Sequence, residues 1–253
     1  MKLASYVFIF VVLLNCSSKG DGAAAKLPDE PLAATYKSIH EIKTPAGYHR
    51  LKTGARSFAG WLQEISLKKN NTVYCWDGSL KKNQSAQFAV LDMPVGKRDL
   101  QQCADAVMRL RAEYLFAQEK FSDIVFTDNA GKVYQWKGGS NRSLFEQYLE
   151  QVFSWCGSAS LEKQLTPLNN QRLIEPGDIF IKGGFPGHAM IVVDVAVNKL
   201  GERVFMLAQG YMPAQDIHIV NNPGEKRISP WYSMNDTLIT PEWIFYRSQL
   251  RKW

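Results

Sequence analysis

Residues 175–220 read EPGDIFIKGGFPGHAMIVVDVAVNKLGERVFMLAQGYMPAQDIHIV. Pro176-Gly177-Asp178 is a turn signal, and Ile179-Phe180-Ile181 after it predicts a short apolar strand. Gly183-Gly184-Phe185-Pro186-Gly187 is too rich in glycine to be helical. His188 then opens a β-branched run, Ala189 to Val197, of the kind that suits a buried sheet. A third strand is predicted from Val204 to Ala208, ending at Gln209, and a fourth from Asp216 to Val220. A titratable side chain at the mouth of an apolar strand, just after a flexible loop, is a place for a catalytic base. It is also a place for a half-exposed histidine; these residues lean toward the first reading without settling it.

Strand parity gives His188 a partner. Side chains alternate with period two, so the length of the β-turn after Val197 decides which residues share a face. A two-residue loop sets His188 opposite Gln209, and a four-residue loop sets Met190 opposite Gln209; both put His188 and Gln209 on one face. An odd loop puts them on opposite faces. Opposed Cβ atoms lie ~5 Å apart and diagonal ones ~7–8 Å, within reach of a long amide. A glutamine beside an imidazole can hold one of its tautomers, although Gln209 could also simply end a strand. By the same alternation Asp194 shares the face of His188, deep in an apolar strand, where a carboxylate must be paired. His218, between isoleucines, reads more readily as structural.

Upstream, apolar residues at 58, 61, 62 and 65 have helical spacing, and Thr72 to Trp76 and Gln87 to Met93 predict strands. The clearest helix is DLQQCADAVMRLRAEYLFAQ, with Asp99 as N-cap and apolar positions 100, 103, 104, 107, 110 and 114 forming one stripe. A hairpin is expected across Asp128-Asn129-Ala130-Gly131, a second amphipathic helix over 144–155 and a short one over 158–165. Trp243 to Tyr246 predicts a last strand. Helical segments followed by an antiparallel sheet give an α+β domain over 39–253.

The chain has 253 residues, 45% of them apolar, enough for a sizeable core. Its net charge is +6 and there is no dense Lys/Arg run, so a solvated surface is expected and no nucleic-acid site. Lys2 and the apolar Leu3–Leu14 form the n- and h-regions of a signal peptide over 1–16, too short for a membrane span, which needs ~20 apolar residues. Leu13-Leu14-Asn15-Cys16 resembles a bacterial lipoprotein signal, in which the cysteine carries the lipid; Asn15 departs from the usual small residue, and a plain secretory peptide is the alternative. Residues 17–38, small, polar and proline-bearing, read as a tether. With Cys16 lipidated, Cys75, Cys103 and Cys156 remain, an odd number that leaves at least one free thiol.

Cys103 lies in the first turn of the predicted helix, where exposed N–H groups and the helix dipole favour a thiolate. Positions 103, 107, 110 and 114 also share a face, so a small core residue is the competing reading. Cys75, between Tyr74 and Trp76 in a predicted strand, is expected to be buried, and Cys156 sits at a helix end of the wrong dipole sign. His188 and His218 lack HxxxH or CxxC companions, and no Walker or dinucleotide glycine loop occurs, so neither a metal nor a cofactor is expected.

The chain order is a cysteine opening a helix, a Pro-Gly-Asp turn with a short strand, Gly-His starting a long apolar strand, and a polar residue on the next strand. This resembles NlpC-type papain-like cysteine peptidases and amidases, which cut amide bonds in bacterial cell-wall peptides. The resemblance implies Cys103 as nucleophile, His188 as base and Gln209 as the third polar residue. Those enzymes usually have Asp-Cys-Ser-Gly where this chain has Gln102-Cys103-Ala104-Asp105. DLQQCADAVMRLRAEYL, PGHAMIVVDVA and FMLAQGYMPAQDIHI more closely resemble an uncharacterised family of envelope proteins from Bacteroidetes-type bacteria, known only as a domain of unknown function. Two expectations result. One is an envelope cysteine hydrolase, anchored through Cys16 to a membrane (the outer membrane by preference) and acting on cell-wall peptide. The other is a non-catalytic lipoprotein of the same fold that binds peptide or glycan.

Overall fold

The computed structural model describes residues 36–169 and 172–253, all within one compact unit. Cys16, the targeting segment and nearly all of the tether lie outside the described residues. The protein is α+β and most of its strands join one antiparallel sheet. In chain order the helices are α1 (Phe58–Gln63), α2 (Cys103–Ala117), α3 (Arg142–Trp155) and α4 (Ser158–Gln164). The strands are β1 (Tyr48–Arg50), β2 (Gln87–Val90), β3 (Val125–Thr127), β4 (Val133–Gln135), β5 (Thr166–Pro167), β6 (Ile179–Lys182), β7 (His188–Asn198), β8 (Arg203–Gln209), β9 (His218–Val220), β10 (Trp231–Ser233), β11 (Thr237–Ile239), β12 (Ile244–Tyr246) and β13 (Leu250–Lys252). The main sheet runs β2-β9-β8-β7-β6-β13-β5, with β1 also on β7 and β10 also on β8. No helix among the described residues is long and apolar enough to cross a membrane.

The 175–220 stretch forms the sheet's centre as its pattern predicts. Gly177 has φ +94, a left-handed turn that favours glycine, and Asp178 closes that turn by accepting the Glu175 N–H at 2.8 Å. Strands β7 and β8 are buried on both faces because each face carries its own core. On one side Ala189, Ile191, Val193, Ala196, Met206 and Ala208 pack with α2 residues such as Val107 and Leu110. On the other, Met190, Val192, Val195, Phe205 and Leu207 pack with Leu238 and Phe245 of the β11–β12 hairpin. A sheet covered twice reads as a continuous apolar run.

The β7–β8 pairing contains the decisive irregularity. Near the turn Val197 faces Arg203, which leaves five residues between them. That odd loop would place His188 and Gln209 on opposite faces. A β-bulge between Val192 and Asp194 inserts one residue, and beyond it Val192 faces Leu207 and Ile191 faces Ala208. The inserted residue reverses the parity and returns Gln209 to the face of His188. It also sends Asp194 to the other face, contrary to simple alternation. There Asp194 is fully buried but paired, with Arg50 Nε at 2.5 Å and Gln63 Nε2 at 2.7 Å.

Helix α2 begins at Cys103, three residues later than Asp99 as N-cap suggests. Gln102 is the N-cap, and the Asp105 carboxylate accepts the Gln102 N–H at 3.0 Å. Asp99 instead braces the approach to the helix, accepting from Gln102 Nε2 at 3.1 Å and from the Ala214 N–H at 2.7 Å. The expected single apolar stripe is not what is buried: most of α2 is, Arg109 and Glu113 included, because helices and sheet surround it. Glu113 is satisfied by Arg142, a bidentate pair at 2.5 and 2.7 Å. The segment 72–76 is no strand; it makes only isolated bridges, Tyr74 to Leu80 and Cys75 to Gln215. The hairpin β3–β4 and helices α3 and α4 form close to their predicted places, α3 capped by Asn141 on the Leu144 N–H at 3.1 Å.

Candidate functional site

Two elements from opposite faces of the sheet meet at its end. His188 starts β7, and its ring lies on the face of Gln209. Cys103 starts α2, which packs on the other face. Both side chains line one cavity of about 690 Å³, together with Gln102, Asp105, Cys156, Tyr211, Met212 and Trp243. The loop carrying Phe185, 95% exposed, forms part of its rim.

Close approach of α2 to the sheet depends on Gly210. A Cβ there would lie 2.8 Å from the Gln102 carbonyl oxygen and 3.1 Å from the Ala106 Cβ. Gly187, just before His188, is similarly enclosed: a Cβ would meet Gly184 O and Ser158 Oγ at 2.4 Å. These two glycines let backbone stand where a side chain would hold the helix and the loop away from His188.

The histidine half of the site is closely bonded. His188 Nε2 lies 2.8 Å from Gln209 Oε1. Gln209 Nε2 donates to Glu242 Oε2 at 2.7 Å and lies 3.2 Å from His218 Nε2. His218 Nδ1 lies 2.9 Å from the Asp216 carbonyl oxygen. Glu242 in turn pairs with Lys81 at 2.5 Å, and Lys81 also donates to the Asn83 carbonyl at 2.7 Å. Tyr211, Trp243 and Phe245 surround the His188 ring, with centroids at 5.2, 5.2 and 5.8 Å. Burial among them disfavours the imidazolium and lowers the His188 pKa to about 4, against a smaller opposing effect of Gln209. Burial likewise lowers His218 to about 3. Both rings are neutral at pH 7, the state a general base requires.

The cysteine half is held differently. The backbone amides of Ala189, the residue after His188, and of Ala104 and Cys103 itself act on the thiol to lower its pKa. These donors and the helix start favour the thiolate. Burial outweighs them, and with the nearby Asp105 carboxyl it raises the Cys103 pKa to about 11. Burial thus works against the thiolate that the helix start favours, and with a pKa of about 11 the resting group at pH 7 is the thiol. Asp105 is itself pushed well above the usual carboxylate range by burial, and its Oδ1 has no hydrogen-bond partner.

All three cysteines among the described residues are unpaired. Cys75 is buried as expected. Cys156 lines the same cavity as Cys103, and burial raises its pKa to about 11. Pro176-Gly177-Asp178 lies away from the cavity; its backbone pairs with Val192 in mid-strand, so its part is to launch β6. The residues that sequence reasoning passed over are Glu242 and Lys81. They are distant in the chain and sit in no motif, so nothing in the sequence marked them. His218, read as structural, belongs to the same bonded chain as Gln209. Among the described residues no group of three or more His, Cys, Asp or Glu side chains could hold a metal ion.

A family model described as domain of unknown function (4846) matches residues 39–142 and 133–252. The chain belongs to this family. The match spans β1 to β13 and so includes every residue of the cavity. No curated protein and no solved structure matches the chain.

Proposed function

We propose that the protein is a cysteine peptidase or amidase with a papain-like, NlpC-type arrangement of nucleophile and base. The observation that supports it is the shared cavity of Cys103 and a neutral His188 whose Nε2 is engaged by Gln209, which leaves the Nδ1 lone pair as the ring's acceptor. In this reading His188 takes the Cys103 proton as sulfur attacks an amide carbonyl, because the thiol is not ionised at rest. A thioester forms, His188 returns the proton to the leaving amine, and water releases the acyl group. The Cys103 and Ala104 N–H groups at the start of α2 are suited to receive the developing oxyanion. Exposed Phe185 and Met212, with Trp243, offer an apolar rim to a peptide. The substrate class is a cell-wall peptide, and the protein is held at the cell envelope by a lipid on Cys16.

A peptidyl electrophile tests this. Labelling at Cys103 in the wild type, lost in Cys103→Ala, strongly reduced in His188→Ala and kept in Cys75→Ala, supports the hydrolase. Equal labelling of the three variants overturns it. Metabolic incorporation of a fatty-acid analogue, lost in Cys16→Ser, tests the anchor.

The raised Cys103 pKa favours a second reading, a non-catalytic peptide- or glycan-binding lipoprotein. It expects saturable binding of stem peptide or glycan that Cys103→Ala retains, with no turnover by the wild type.

A further inference from the structure

A glutamine amide has two ends of opposite hydrogen-bonding character and almost the same shape. Turned one way, Gln209 offers His188 an acceptor; turned the other way, it offers a donor. The first orientation places the proton on His188 Nε2 and the lone pair on Nδ1. The second requires a lone pair on Nε2 and puts the proton on Nδ1, which removes the acceptor from the ring's other nitrogen. The order in the fold therefore depends on what holds the far end of the Gln209 amide.

Two groups hold it. Glu242 Oε2, 2.7 Å from Gln209 Nε2, belongs to a carboxylate paired with Lys81, and an ionised carboxylate can only accept. The His218 Nε2, at 3.2 Å, is an acceptor because His218 Nδ1 faces the Asp216 carbonyl at 2.9 Å and must donate to it. Both amide hydrogens are thereby assigned, and Oε1 is left for His188. We infer that Glu242, held by Lys81, is a positioning residue that sets the orientation of the Gln209 amide and through it the tautomer of His188. Lys81 and Glu242 are largely buried, and an unpaired charge there would be costly, so the pair keeps Glu242 an obligate acceptor. His218 supports the same orientation with a longer bond.

Its consequence for catalysis rests on the hydrolase reading; the tautomer itself does not. The test is nitrogen NMR of isotope-labelled histidine in the full chain, which distinguishes a protonated from an unprotonated ring nitrogen without any substrate. The wild type at pH 7 is expected to show His188 wholly in the Nε2–H form. Glu242→Gln, nearly the same shape but able to present either end of its own amide, is expected to show a mixture with the Nδ1–H form. Glu242→Leu is expected to do the same where it folds. Histidine resonances of His40 and His49, remote from the cavity, serve as controls for folding.

A wild type in the Nδ1–H form, or folded variants that keep His188 wholly in the Nε2–H form, would overturn the inference. If the protein turns over an amide, Glu242→Gln should lower kcat by about tenfold to a hundredfold with little change in KM, the size expected for a group that orients another. A lost turnover in Cys103→Ala with an unchanged tautomer pattern separates the two questions. Absence of any turnover in the wild type would remove the hydrolase reading and leave the tautomer result standing.

Discussion

The two halves of the cavity are stabilised by opposite means. Around His188 the named polar contacts form a closed chain from Lys81 through Glu242 and Gln209 to both histidines and the Asp216 carbonyl. Around Cys103 the support is the close packing of the start of α2 against Gly210, and the neighbouring Asp105 keeps an unpartnered oxygen. A bonded chain defines orientation, because each donor admits one acceptor. Packing defines position but leaves the protonation state to burial, which here keeps the thiol un-ionised. The histidine half is thus pre-set, whereas in the proposed hydrolase reading the cysteine half would depend on His188 for its reactivity.

The comparison breaks most readily at Gln209. Gln209→Leu leaves a buried carboxylate and two imidazoles without their shared partner and should cost about 3–5 kcal/mol. Urea unfolding measures it, and a loss under about 1 kcal/mol would show that the chain of bonds is not what holds this half.

Acid should act on the same half. His188 and His218 have native pKa values near 4 and 3, below the ordinary 6.5 of the unfolded chain. From about pH 6.5 downward the unfolded state binds protons that the native state refuses, so stability falls until the native rings also protonate. The expected loss is a few kcal/mol across that window, seen as a falling melting temperature. In His188→Phe the slope should be smaller; an unchanged slope would rule out His188 as a contributor.

On the cysteine side Gly210→Ala should cost about 1–3 kcal/mol, since the new Cβ must push α2 away from the end of β8. Cys103 labelling by a peptidyl electrophile should fall with it, and full labelling would show that the close approach is not needed. The smallest effect belongs to Asp105→Asn. It removes a nearby carboxyl that raises the thiol pKa, so the ultraviolet thiolate titration of Cys103 should move below about 11, with stability changed by less than about 1 kcal/mol. A titration that stays in place would assign the whole rise to burial.

Much of the fold was legible because local patterns agree with it. The glycine turn at 177 and the β-branched run of β7 each depend on neighbours a few residues away. Legibility fails where a local signal meets a tertiary demand. Asp99 is a good cap in isolation, but the Ala214 N–H claims it, and α2 starts at Cys103 instead. Thr72 to Trp76 has strand composition but finds only single bridges. Strand β13 carries an Arg and a Lys at the chain's end, and joins the sheet because β6 presents an open edge.

The sequence by itself determined the central strands β6 to β9, the four helices to within a few residues, the position of His188 at the mouth of β7 and the two possible parities that relate it to Gln209. These follow from the periodicity of side chains along one segment. Only the tertiary structure decided which parity holds, through one inserted residue at Val193. Only it brought Lys81 and Glu242 behind Gln209, and only it left Cys103 protonated, because burial and pairing depend on segments that the chain's local pattern does not name.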